Sequence, residues 1–186
     1  ISIRVDPGTP VRVRTWNVGV AGDAASDHQV VGALDSFAPR KGDVLDHALY
    51  DSSRARVSRT LAARGYFDAD FDARRVEVTR ADHAADIDLR WTSGTRFALD
   101  TVTFSQAPDA IIRDSLLQKL VGWDPGEAYD EVEIENLRRS LVAPMALALL
   151  LMALSGHVVA PAAALLLVLA AFTAGPLMGA VAGFSP

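Results

Sequence analysis

The stretch Gly42–Phe71, "GDVLDHALYDSSRARVSRTLAARGYFDADF", decides how the chain reads. Leu45, Leu49, Val57 and Leu61 recur on a fourfold spacing, and Arg54, Arg56, Arg59 and Arg64 fall largely off that row. This predicts an amphipathic helix with a solvated arginine face. The same arginines offer, as an alternative, a docking patch for an acidic partner. Gly42 stands in the loop before the helix. Gly65 ends it, as the residue most at ease in the left-handed conformation just past a helix C-terminus. Tyr66 and Phe67 then read as packing residues that fold back over helix and sheet. The acids of "DADF" ride the outside as the chain enters a strand.

Upstream, "ISIRVDPG" alternates apolar and polar residues into a turn, and a second alternating run carries Val11, Val13, Val18 and Val20. "SDHQVVGALDSFAPRKG" predicts a helix with Ser26 and Gln29 as a capping box and Val30, Val31, Leu34 and Phe37 on one face. Pro39 and Gly42 close it. Downstream, "ARRVEVTR" predicts a strand with Val76 and Val78 inward. "DIDLRWTSG" predicts another, with Ile87, Leu89 and Trp91 alternating with Asp88 and Arg90 up to Gly94. From Val11 to Trp91 the order is strand, helix, helix, strand, strand.

The order then starts again. "GTRFALDTVTFSQ" (94–106) mirrors "GTPVRVRTWNVGV" (8–20), predicting a strand. A short helix follows with Ile112, Leu116 and Leu120 in line. "WDPGEAYDEVEIENLRRSLVA" repeats the opening stretch, with Gly126 for Gly42 and, across a small gap, Leu137 and Leu141 for Val57 and Leu61. Self-similarity at this period means tandem small domains. The second copy is cut short. Where glycine, two aromatics and two strands are expected, residues 144–186 are almost wholly apolar, and His157 is their one ionisable side chain. A membrane-crossing helix takes about 20 apolar residues, so this segment holds two short spans turning at Gly156–Pro161. The alternative is a stretch foreign to the preceding domain, from a fusion or a reading-frame slip. The chain begins without methionine and reads as a fragment or mature segment.

Composition narrows the function. The sequence has 23 acidic residues against 18 lysines and arginines, and no basic face interleaved with aromatics, which argues against nucleic acid. Without cysteine there is no disulfide, thiolate site or thiol nucleophile. The four histidines are far apart. Asp82, His83, Asp86 and Asp88 read as a polar turn into a strand with acidic outward positions, and "DADFD" lacks the glycine and glutamate of a calcium loop. Ser52, Ser53 and Ser58 sit within a helix with no nucleophile elbow. "VGVAGDAAS" lacks the lysine of a phosphate loop. Trp16, Trp91 and Trp123 read as sheet and join packing. No catalytic, cofactor or metal residues are assigned.

The strand-helix-helix-strand-strand order begun again in tandem, the motif from Gly42, Asp43, Leu45, Asp46 and His47 through Arg64–Asp68, and the join "DIDLRWTSGTRFALDTVTF" resemble the POTRA domains of the Omp85 superfamily. Within it they are nearest the branch that forms the outer-membrane subunit of translocation and assembly modules. The resemblance implies an α+β fold of tandem β-α-α-β-β domains, each a three-stranded mixed sheet under two helices. Residues 1–7 would be the last strand of a preceding domain, 8–93 a complete one, 94–143 the first half of a further one, and 144–186 the hydrophobic segment. It implies a periplasmic, outer-membrane-associated, non-enzymatic module. Its partners would be unfolded outer-membrane or autotransporter client proteins, or an inner-membrane-anchored TamB-like subunit. Binding would be by β-augmentation at the edge strand formed by Arg74, Arg75, Val76, Glu77, Val78 and Thr79, with Gly42, Gly65, Tyr66, Phe67 and Gly94 as structural markers. If the apolar segment is native, the membrane partner is the inner membrane.

Overall fold

The structure, a computed structural model, describes residues 8–107 and 112–154. Residues 1–7, and all of the apolar hairpin expected over 144–186 except its first residues 144–154, lie outside them. Among the described residues no helix is long and apolar enough to cross a membrane. The chain divides into two units, Ile1–Phe97 and Ala98–Pro186. The division falls after Phe97 rather than Ser93, because Phe97 N–H bonds to Gly65 O (2.9 Å) and Arg96 Nε to Arg64 O (2.8 Å).

In the first unit the order is β1 (Arg12–Ala21), α1 (His28–Asp35), α2 (His47–Ala63), β2 (Asp70–Thr79) and β3 (Ala84–Thr92), the α+β order expected. The strands form one mixed sheet in the order β1-β3-β2, with β1 parallel and β2 antiparallel to β3. Because β3 is flanked on both sides, its inward residues are sealed, and Ala85, Ile87, Leu89 and Trp91 are at most 1% exposed. Ile87, Leu89 and Trp91 join Val13, Val30, Phe37, Tyr50, Val57 and Leu61 in a single core between the sheet and the two helices. The other face of the sheet is charged. Arg14 reaches Asp86 and Asp82, Asn17 reaches Asp88, and Arg90 reaches Asp88 and Asp72.

The apolar alternation of β1 changes phase between Val13 and Trp16. The ladder slips there, with Val13 opposite Ala85 and Thr15 opposite Asp86. Arg14 is the extra residue of a bulge. That aims its guanidinium at the Asp86 carboxyl, which the hydrogen bond from Arg14 holds down at about 2.

Several local expectations shift. Asp27, not Ser26, caps α1, accepting from Gln29 N–H at 2.9 Å. A short 3-10 turn, Asp23–Ser26, takes up Ser26 and moves the helix start by one residue. The buried residues of α1 are Val30 and Ala33, with Phe37 buried just past its end and Val31 exposed. In α2, capped by Asp46 at Ala48 and Leu49 N–H, the buried row is Tyr50, Ser53, Val57 and Leu61. Leu49 points away. Ser53 is tolerated in that row because its Oγ accepts from Ala38 N–H at 3.2 Å.

In the second unit α3 (Asp114–Leu117) runs into a 3-10 turn, and α4 spans Glu131–Leu154. A row at fourfold spacing does not survive the tightening to three residues per turn. Leu117 is the buried residue there, and Ile112, Leu116 and Leu120 are exposed. The strand expected in 94–106 is reduced to one antiparallel bridge, Ala98 to Ala128. α4 continues through Pro144 to Leu154, 24 residues against 17 for α2, with no stop glycine.

Candidate protein-binding edge

Which backbone groups of β2 are free follows from the hydrogen bonds of β3. Arg12 N–H bonds to His83 O and Ser93 N–H to Ala21 O, so odd-numbered residues of β3 turn their amides to β1. Its even-numbered residues therefore face β2, where their partners are Ala73, Arg75, Glu77 and Thr79. Arg74, Val76 and Val78 turn their N–H and C=O groups outward. Among the described residues nothing bonds to that side of the strand. The run 74–79 is thus two sets of residues, and only alternate ones can bond to an added strand. The side chain of Val76 packs against the core, whereas Val78, expected inward, is 45% exposed. Val78 pairs with Ala85 near the end of the ladder.

The opposite edge differs. The amide and carbonyl of Val13 are occupied by Asp43 and Gly42, and Leu45 N–H bonds to Val11 O. That segment covers the start of β1, so β2 is the longer open edge.

Charge guards the open edge, as is common for strands that must not pair indiscriminately. Arg75 pairs with Glu77, and the guanidinium of Arg74 lies 5.3 Å from the Phe71 ring centre. A bulge between Phe71 and Ala73 twists the start of the strand. Beside it opens a mostly apolar cleft of about 140 Å³, lined by Ser58, Leu61, Tyr66, Phe67, Phe71 and Trp91 among others.

The turn that builds this cleft is the end of α2. Gly65 has φ +84°, Gly65 N–H bonds to Ala62 O and Tyr66 N–H to Leu61 O, both at 3.0 Å. Those two bonds make a Schellman stop. Tyr66 is buried beneath the Arg96 guanidinium, 5.9 Å from its ring centre. Phe67, expected to fold over the helices and sheet, is 44% exposed and stands edge-on to Phe97 at 5.4 Å. Gly94 has φ +66°, and a Cβ there would come within 3.2 Å of the Asp68 Cβ. Gly42 has φ +93° in the loop that covers β1. Gly65→Ala forces a Cβ into the left-handed region at a helix stop, and is expected to cost about 1 kcal/mol of unfolding free energy. Urea denaturation of both proteins checks this.

The acidic cluster is engaged with arginines. Asp82 and Asp86 bind Arg14, Asp88 binds Arg90, and His83 occupies the turn between β2 and β3 at φ +48°. Among the described residues no group of three His, Asp or Glu is placed to hold a metal ion. Ser58 accepts from Trp91 Nε1 at 3.2 Å, and Ser52 donates to Leu49 O. Of the helix arginines, Arg54 pairs with Asp51 and Arg56 donates to Ser36 Oγ. Trp16 packs edge-on against Phe37 under Arg40, and Trp123 is buried with Nε1 donating to Asp100 O.

Sheet order, helix layer and open strand together define a class: a small α+β domain with a two-helix layer on a mixed three-stranded sheet, and an antiparallel strand exposed at one edge. The crystal structure of Haemophilus influenzae BamA POTRA3-5 is similar to this chain, with a TM-score of 0.49 and 18% identity over 73% of this chain and 50% of that one. The chain therefore spans half the length of that structure. No family model matches the sequence.

Proposed function

We propose that the first unit is a non-enzymatic protein-binding module that captures extended chains by adding them as a fourth strand along β2. One observation carries the reading: an edge strand whose amides at Arg74, Val76 and Val78 have no partner among the described residues, beside an apolar cleft. Backbone pairing supplies affinity with little dependence on sequence, and the cleft takes an apolar side chain of the added strand. Such a site suits chains that have not yet folded. The sequence resemblance supplies the setting: a TamA-like factor in the periplasm, associated with the outer membrane. Its clients would be unfolded outer-membrane or autotransporter proteins, and its partner an inner-membrane-anchored TamB-like subunit.

The test is Val78→Pro. The N–H of Val78 points outward, so proline removes a donor to the added strand and leaves the bonds to β3 intact. The probe is a ten-residue synthetic peptide of alternating valine and threonine with lysine at each end. Wild type is expected to show slowed hydrogen exchange at Arg74, Val76 and Val78 on peptide addition. The proline variant should bind about tenfold more weakly, as loss of one to two net hydrogen bonds implies, with thermal stability little changed. Binding that Val78→Pro leaves intact, or no protection along β2, would sink the reading.

A further inference from the structure

One row of β2 side chains reads, along the open edge, Val78, Val76, Arg74 and Phe71. Their partners across the ladder are Ala85, Ile87, Leu89 and Trp91, all of them buried. Side chains opposite each other in a sheet share a face, so this row lies on the helix side of the sheet and not on its charged side. Three of the four residues suit that side. Val76 packs against the core, Val78 continues the apolar row into solvent, and Phe71 lies against Trp91. Arg74 is the exception, a cation in an apolar row.

The other strand arginines of the first unit are matched. Arg12 donates to Gly42 O, Arg14 binds Asp86 and Asp82, Arg75 binds Glu77, and Arg90 binds Asp88 and Asp72. Arg74 meets no carboxylate among the described residues, and its guanidinium rests 5.3 Å from the centre of the Phe71 ring. A second cation acts from the helix layer. Burial pushes the Tyr50 hydroxyl above its ordinary value, and Arg54 and Arg74 both oppose that shift, so the two guanidinia act on one region of the edge. Arg54 has its own acid, Asp51 at 3.1 Å, which leaves the charge of Arg74 uncompensated among the described residues. An inward charge on an edge strand deters pairing, because an apolar neighbour strips its water without replacing it. A strand that brings the counter-charge escapes that penalty.

We propose that Arg74 makes β2 selective: the strand it takes best is an extended segment whose inner row is apolar except for one aspartate or glutamate opposite Arg74. This rests on the β2 reading and adds to it the class of chain that is captured. A strand that pairs through Arg74, Val76 and Val78 places residues directly opposite these three and on the same face, whether it runs parallel or antiparallel. Opposite Val76 and Val78, apolar side chains bury surface that β2 leaves open. Opposite Arg74, a carboxylate gives the guanidinium a charge-assisted partner while the Phe71 ring stays beside it.

The whole chain is titrated with two synthetic peptides and followed by hydrogen exchange at Arg74, Val76 and Val78. Each peptide has lysine at both ends and valine alternating with threonine between, with the central valine replaced by glutamate in one and by lysine in the other. The alternation sets that central residue opposite Arg74 and valines opposite Val76 and Val78 in either strand direction. The glutamate peptide is expected to bind roughly fivefold better, the difference between an opposite and a like cross-strand pair. The chain's net charge of −5 works the other way, so such a preference comes from the site and not from the molecule as a whole. Arg74→Lys should keep the preference and Arg74→Glu should invert it. Equal protection by the two peptides, or a preference that Arg74→Glu leaves unchanged, would overturn the selectivity with capture along β2 still in force. Protection by neither peptide would overturn both readings.

Discussion

Trp91→Ala is expected to lower the unfolding free energy of the first unit by about 4 kcal/mol, the range for deleting a buried tryptophan. Trp91 is 1% exposed at the end of the central strand and lies against Phe71, with ring centres 5.2 Å apart. Its Nε1 donates to Ser58 Oγ, so the side chain ties β3 to both β2 and α2. The substitution opens a cavity beside the existing cleft and strands the Ser58 hydroxyl. A domain of this size holds roughly 5–10 kcal/mol in all, so the variant is left near the edge of folding. At roughly 4–8 °C per kcal/mol the midpoint should fall by about 20 °C. Trp91→Phe keeps most of the volume and loses only the hydrogen bond, so it should cost about 1–2 kcal/mol. Thermal unfolding of the three proteins by circular dichroism measures the difference. An alanine variant within 1 kcal/mol of wild type would mean that Trp91 does not join the three elements.

The parts of this fold legible in the sequence are those whose environment is symmetrical. β3 has neighbours on both sides, so its strict alternation reads directly as inward and outward residues. Gly65 is legible because few residues other than glycine stop a helix with positive φ. Edges and ends are less legible. Val31, Leu49 and Val78 fit their apolar periods yet remain exposed. The Asp27 cap was hidden by a neighbouring serine with equal capping chemistry. The edge strand reads from sequence as a run of six residues. Which of them face outward depends on a register shared with two other strands, and no local pattern carries that. The segment 98–106 makes the same point in reverse, since its sequence has a strand's pattern and, among the described residues, it makes only the single bridge of Ala98 to Ala128. Strand propensity is a statement about surroundings more than about the residue itself.

Asp27→Ala is expected to cost about 3 kcal/mol, and the variant ties the sequence's least obvious cap to acid sensitivity. The Asp27 side chain is 5% exposed and bonds to Arg64 Nε at 3.0 Å, with Arg96 at 3.9 Å. It therefore joins the start of α1, the end of α2 and the residues just after β3. Loss of the cap accounts for about 1 kcal/mol, and loss of a charge-assisted bond at a half-buried guanidinium for about 2 more. Asp27→Asn keeps the cap geometry, so its cost should be closer to 2 kcal/mol. Burial alone would raise the Asp27 carboxyl, but hydrogen bonds from Arg64 and the backbone N–H of Gln29 hold it below its ordinary value. A depressed carboxylate stabilises the fold fully above its unfolded value of about 3.9. That stability is lost as pH falls through the lower folded value. Wild type should therefore weaken on acidification below about pH 4, and Asp27→Asn should show a shallower slope there. The slope that remains belongs to carboxylates such as Asp86, which Arg14 holds down by its hydrogen bond. Urea unfolding at pH 7, 4 and 3 separates the two contributions. If Asp27→Asn kept the full wild-type slope, the Asp27–Arg64 pair would not be the source of the acid sensitivity.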